Sequence, residues 1–318
     1  MATSSGPPMG VAEPARDFVS MGTVRQLSQQ DPSRSLLDLL LTWLMVLGSA
    51  WLTETFWHPA LYVATVVFIG SRQIALLVMV HEAVHYMFLP RRSWNDRLAE
   101  WGAAWPILVP FHSYRRVHSL HHRHLGTDND PDWARNRPDQ LASAGWLDFA
   151  RILLGLYRRQ SGVRRFIGPG ELKAELRAGS HGLAHRLCFY ISAAALTTLL
   201  GAWPSVIRYW LVPLGTWFLI GLRIKGICEH FALEMNTPLT SSRTLKLGFL
   251  TRWCVFPLNS AYHIEHHLYP SVPHYNLAIL HRELQKHDDF AAHASISEGL
   301  AGIFGDCLAA RRRPVYRP

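Results

Sequence analysis

Four long apolar runs limit this chain more than any other feature. Residues 36–56 and 61–80 lie back to back, and 187–203 and 206–224 form a second pair. At ~1.5 Å of rise per residue, each run as a helix is about as long as the ~30 Å hydrocarbon layer of a bilayer is thick. Each is therefore expected to cross a membrane, although buried core helices share this pattern. The runs are impure, for Asp38, Glu54, Arg72 and Arg208 sit inside them. A charge in a span marks either a functional site or a partner on a neighbouring helix. For Arg72, nine residues before His81, both readings stand.

Positive charge orients the spans. Of the 32 Lys and Arg, 3 fall in residues 1–35, 16 in 87–186 and 11 in 223–318; the connector 53–59 has none. Loops rich in Lys and Arg stay in the cytoplasm, which puts both termini and the long middle segment there and the two connectors outside. The net charge of +9 then needs no nucleic acid. Membrane lipids with anionic head groups, or an acidic protein partner, are its counterparts. The four cysteines, Cys188, Cys228, Cys254 and Cys307, form no C-x-x-C pair, and reduced thiols are expected.

The resulting organisation is a flexible N-terminal tail over 1–35, not a signal peptide, then a first transmembrane hairpin over 36–80. A cytosolic segment over 81–186, a second hairpin over 187–224 and a cytosolic segment over 225–318 follow. The apolar stretch 101–111 is too short to span and contains Pro106 and Pro110, so it is expected to be interfacial or re-entrant. Residues 248–258 look similar.

The 18 histidines are concentrated. His81-Glu82-Ala83-Val84-His85 fits H-E-x-x-H, the zinc-protease pattern in which two histidines hold the metal and the glutamate activates water. His118-Ser119-Leu120-His121-His122 and His263-Ile264-Glu265-His266-His267 are two H-x-x-H-H sets. On a helix, positions i, i+3 and i+4 share a face, so each set aims its imidazoles at one place. If 101–111 is re-entrant, all eight lie on one side of the membrane and can converge. A catalytic zinc takes three protein ligands and keeps an open position, so eight imidazoles are too many for one metal. They suit two metals of an imidazole-preferring kind, among which iron with open positions performs oxygen chemistry. The protease reading leaves six of these histidines idle. A metal transporter would want its ligands near the bilayer midplane, whereas these flank the spans.

The boxes HEAVH, HSLHH and HIEHH, interleaved with two apolar hairpins, resemble the membrane fatty acid desaturase family. The flanking GSRQIALLVMVHEAVH, HHRHLGTDNDPD and NSAYHIEHHLYPSVPHYNLAILH extend the likeness over roughly residues 20–290. The resemblance implies an all-α integral membrane fold: four transmembrane helices in two hairpins, with a cytosolic helical cap holding a histidine-ligated metal centre. It implies two iron ions, dioxygen as co-substrate and removal of two hydrogens from an acyl chain, lipid- or thioester-linked. Hydroxylases, ketolases and acetylenases share the scaffold.

Carried over by position, the iron ligands are His81, His85, His118, His121, His122, His263, His266 and His267. A ninth is His230, the only histidine between Ile224 and His263. Asn259 is a candidate to hold a metal-bound water. Ligating imidazoles usually pass their second N–H to a carboxylate or carbonyl, and Asp128, Asp130, Asp132, Glu229 and Glu265 are placed to accept it. His112, His124, His274 and His281 read as ordinary hydrogen-bonded histidines. The sequence carries no H-P-G-G haem motif and no iron–sulfur cysteine pattern. Electrons are therefore expected from an external donor, a ferredoxin or small haem protein, at the basic cytoplasmic face. The expected location is a bacterial inner membrane, multi-pass, with both termini cytoplasmic.

Overall fold

Two prolines open the two longest N-terminal helices. The computed structural model describes residues 18–127, 129–131, 181–231, 233 and 237–309, beginning with a short helix α1 (Met21–Leu27). Helix α2 (Pro32–Thr55) starts behind Asp31, whose carboxylate accepts the backbone N–H groups of Ser33 at 3.1 Å and Arg34 at 3.4 Å. Helix α3 (Pro59–Val84) starts behind His58, whose Nδ1 accepts the Ala60 N–H at 3.2 Å. Proline is at ease in a first turn, where its missing N–H has no intrahelical partner to lose.

Three helices among the described residues are long and apolar enough to cross a membrane: α2, α3 and the long helix over Trp203–His230. The most apolar part of α3 is 67% buried, against 22% and 28% for the other two. Helix α3 is thus the central element. Between it and Trp203 lie α4 (Arg92–Ala99), α5 (Phe111–His124) and α6 (His181–Leu199). Helix α6 exposes Leu187, Ile191, Leu196 and Leu199. The helix over Trp203–His230, here α7, approaches α3 at Gly70, where an added Cβ would lie 2.8 Å from the Trp217 Cβ.

The charges inside the apolar runs each have a partner. Arg208 pairs with Glu54 at 2.9 Å, and Asp38 lies 3.1 Å from His274. Arg72 donates to the Trp253 carbonyl at 2.8 Å, and its guanidinium stacks 3.9 Å from a Trp253 ring centroid. Of the two readings of Arg72, the structure shows the partner: it fastens α8 (Phe249–Val255) to the side of α3. Phe249 and Leu250 of α8 remain exposed.

Irregular backbone packed against apolar helices needs its polar groups satisfied by protein wherever water is shut out. The stretch after α4 is such a segment. A π-helical turn over Glu100–Ala104 gives way to turns, with Leu108 in the left-handed region at φ 61. Three aromatic donors reach its carbonyls: Trp43 of α2 to Gly102 at 2.9 Å, Tyr190 of α6 to Trp105 at 3.2 Å, and Trp210 of α7 to Pro106 at 2.9 Å. Helix α7 is itself interrupted by π-helical turns on either side of Pro213. Proline supplies no amide donor, and side chains of α3 bond the carbonyls nearby, Tyr62 to Arg208 and Gln73 to Trp210.

The cap differs from expectation in two ways. Residues 18–31 are not tail-like. Phe18, Val19, Val24 and Leu27 are buried in one cluster with Ile264, Leu268, Leu277 and Leu280, because Val24 and Leu27 share a face of α1 at i, i+3 spacing. Nor is the fold wholly helical. Strand β1 (Thr244–Lys246) pairs in parallel with β2 (Ile296–Glu298), Thr244 opposite Ile296. Helices α9 (His263–Leu268), α10 (Leu277–Leu284), α11 (Asp288–His293) and α12 (Gly299–Ala309) complete the described chain.

Candidate metal centre

Where α3 ends decides where the first histidines point. His81 lies in its last turn and His85 is the C-cap residue. Tyr86 follows in the left-handed region at φ 61, which turns the chain away. Two side chains hold the terminus: Asn95 donates to the Ala83 carbonyl at 2.9 Å, and Arg115 donates to the same carbonyl at 3.0 Å. Arg115 also clasps Asp96 with two bonds of 2.6 and 2.8 Å. Because Arg115 belongs to α5, this clasp sets His118, one turn further on, beside His85. Their Nε2 atoms are 3.0 Å apart.

All nine expected histidines come together. The ligating atoms of His81, His85, His118, His122 and His266 lie within 4.8 Å of one another, as do those of His121, His230 and His267. His263 joins the second group, its Nε2 at 2.8 Å from that of His230 and 3.1 Å from that of His267. The groups adjoin, with the His122 and His267 rings 4.3 Å apart. Four separate stretches of chain meet here: the end of α3, helix α5, the last residue of α7, and α9.

The other ring nitrogens explain why the Nε2 atoms face one another. His121 Nδ1 lies 2.9 Å from the Asp130 carboxylate, and His230 Nδ1 lies 3.1 Å from the Ser241 carbonyl. A carbonyl can only accept, so His230 carries its proton on Nδ1 and turns a bare Nε2 lone pair inward. His263 Nδ1 lies 3.6 Å from Glu229, which Lys225 also contacts. Burial, reinforced by neighbouring histidines, holds His118, His263, His266 and His267 well below the usual 6.5. The same causes push His122 down to about 2. These five are therefore neutral at pH 7, the form in which imidazole binds metal.

The remaining sequence-predicted residues take other places. Asp128 and Asp132 lie outside the described residues. Glu265 accepts bonds of 2.5 Å from both Thr244 and His281, which tie the third box to β1 and α10. Asn259 sits at φ 54, and its amide is engaged at both ends: Oδ1 accepts from Arg252 at 2.8 Å and Nδ2 donates to the His274 carbonyl at 3.1 Å. His112 pairs with Glu100 at 3.1 Å.

Glu82 is engaged as well. Its Oε2 accepts the His274 backbone N–H at 2.9 Å and faces His274 Nδ1 at 3.3 Å, while His274 Nε2 reaches Asp38 at 3.1 Å. Burial alone would lower the His274 pKa, but hydrogen bonds to Asp38 and Glu82, with their charges, raise it to about 9. Glu82 thus faces a fixed cation as part of a buried carboxylate–imidazolium–carboxylate bridge between α2 and α3, an arrangement unlike the free general base of a zinc protease. Sequence reasoning passed over this bridge, and the one trace of it was Asp38 near the start of a long apolar run.

Apolar membrane-length helices ending in a buried imidazole cluster define a class: a membrane protein with a histidine site able to hold metal. The fatty acid desaturase profile matches residues 55–296, and the chain belongs to that family, whose members are oxidoreductases. It is 26% identical over 263 residues to the dihydrorhizobitoxine desaturase of Bradyrhizobium elkanii, covering 77% of this chain and 72% of that one. It is 29% identical over 290 residues to a human sphingolipid delta(4)-desaturase/C4-monooxygenase, covering 89% and 82%. A ferredoxin-type sn-1 acyl-lipid omega-3 desaturase of Nostoc is 24% identical over 267 residues, covering 76% and 70%.

Proposed function

We propose that this chain is a di-iron membrane desaturase that introduces a double bond into an acyl chain carried on a lipid or a thioester. The observation that carries the reading is the convergence of nine imidazoles from four stretches of chain into two adjoining groups. The donor set fits two imidazole-preferring metals: nitrogen throughout, lone pairs inward, and the second nitrogens of His121 and His230 spoken for by Asp130 and Ser241. His81, His85, His118, His122 and His266 would hold one iron, and His121, His230, His263 and His267 the other. When bound, the irons supply reductive activation of dioxygen. The overall change takes two hydrogens from the acyl chain with O2, two electrons and two protons, and yields a double bond and two waters.

The protein's own work is positioning and exclusion of water. His118, His121, His230, His263 and His266 are buried. Glu82 keeps α3 fastened to α2 through His274, so it supports the first box and attacks nothing. In the proposed topology α6 is a fourth span, the irregular stretch after Ala99 is re-entrant, and both termini face the cytoplasm. The basic cytoplasmic face receives electrons from an external donor, a ferredoxin or small haem protein; the ferredoxin named for the Nostoc relative supports the first.

The double name of the human relative, desaturase and C4-monooxygenase, supports a second reading in which the same C–H cleavage ends in hydroxylation. Expression in a bacterial host, followed by mass spectrometry of total fatty acyl groups, separates the two. A product lighter by two hydrogens supports desaturation; a gain of one oxygen supports hydroxylation. No change in any acyl pool, with a competent ferredoxin co-expressed, contradicts both.

A further inference from the structure

Arg243 has no part in the ligand set, yet it is 2% exposed, and its guanidinium addresses the end of the helix that carries His230. Its Nη1 donates to the Cys228 carbonyl at 2.9 Å and its Nη2 to the Phe231 carbonyl at 3.1 Å. Those carbonyls flank His230, the last residue of α7. Carbonyls in a final helical turn lack intrahelical donors, and the partial negative charge there favours a cation. The neighbours of Arg243 act on the same site. The Ser241 carbonyl faces His230 Nδ1. Thr244 Oγ1 donates to Glu265 at 2.5 Å and accepts the Ile264 N–H at 3.2 Å. Residues 241–244 therefore hold His230 with one end and the third histidine box with the other.

We infer that this short strap builds the second metal position, and that Arg243 is the positioning residue for His230. The inference rests on the two-metal reading above. Four of the five histidines of the first group stand on α3 and α5, where Arg115 and Asn95 fix the end of α3, and the helix of the fifth, His266, is held by Thr244, not by Arg243. Without Arg243, the two carbonyls beside His230 lose its guanidinium donors, and the last turn of α7 is free to swing its imidazole off the shared centre. The first group keeps all its supports. Arg243→Met retains length and apolar bulk while removing both donors.

The test is iron per chain, measured by metal mass spectrometry on the full chain in detergent. The proteins are wild type, Arg243→Met, His230→Ala and the double variant. The expected result is two irons for wild type and one for each of the other three, the double losing nothing more than either single change because both act on one position. Two irons in Arg243→Met overturn the inference. Loss of both irons in Arg243→Met also overturns it, since Arg243 would then serve the whole fold. A wild type without metal overturns the proposed function, and the inference falls with it.

Discussion

The two groups of histidines are supported in different ways. In the first group His81, His85, His118 and His122 stand on or at the end of α3 and α5, helices of 26 and 14 residues, joined where Arg115 of α5 donates to the Ala83 carbonyl of α3; its fifth member, His266, stands on α9. His230, His263 and His267 stand on the last turn of α7 and on α9, which has six residues. A helix of six residues does not hold itself together in water. Its shape comes from bonds made by chain outside it, Thr244 to Glu265 and Ile264 above all. Most of the first group is thus placed by two long helices and most of the second by the end of α7 and a short helix shaped from outside, with His266 and His121 as the member of each that crosses this division. The first is the sturdier, and the second is more open to disruption from residues that never touch a metal.

That contrast can be broken or sharpened by substitution. The largest effect is expected at the first group: His118→Ala removes an imidazole from the group of five, and product formation should fall to background with loss of bound metal. Asp130→Asn, which deprives His121 of its charged partner, should weaken metal binding at the second position by about 10–100-fold and leave the first unchanged, as read by a metal titration of the apo chain. Equal weakening at both positions would mean the two groups are one unit.

A smaller effect is expected from the buried bridge between α2 and α3. The folded pKa of His274, about 9, lies above its ordinary 6.5, so its charge stabilises the fold fully below about pH 6.5. The contribution is lost as pH rises through 9 and is about 3 kcal/mol at most. Thermal melts of wild type should therefore fall between pH 7 and pH 9.5 more steeply than those of His274→Gln. Glu82→Gln should keep its metal while lowering the melting temperature, since the amide still accepts the His274 N–H but no longer offers a charge. The smallest effect is expected at His124, which belongs to neither group: His124→Ala should leave metal content intact and activity within about twofold.

The sequence made the first group easy to see and the second only partly so. Turn spacing in HEAVH and HSLHH is a helical signal, and α3 and α5 obey it. His230 carries no such pattern and came from the family resemblance; its support, the Ser241 carbonyl, is backbone and leaves no mark on residue type. Asp130 was one of three nearby aspartates, and spacing alone could not choose among them. Apolar run length located α2, α3 and α7, but hydropathy has no term for the caps that begin α2 at Pro32, ahead of the apolar run. The packing of Phe18, Val24 and Leu27 depends on partners more than 200 residues away, such as Ile264 and Leu280, which a local reading cannot reach. Strands β1 and β2 are three residues each, below what alternation can mark. Arg243 lies in a basic segment, where neither residue type nor spacing marks it; the fold buries it.

The most direct test of the central claim is the metal content of the wild-type chain, purified gently in detergent and counted with the identity of each metal. Two irons per chain are expected if the nine imidazoles form two adjoining sites. One zinc and no iron would contradict the di-iron centre and return His81, Glu82 and His85 to the reading in which a single metal activates water.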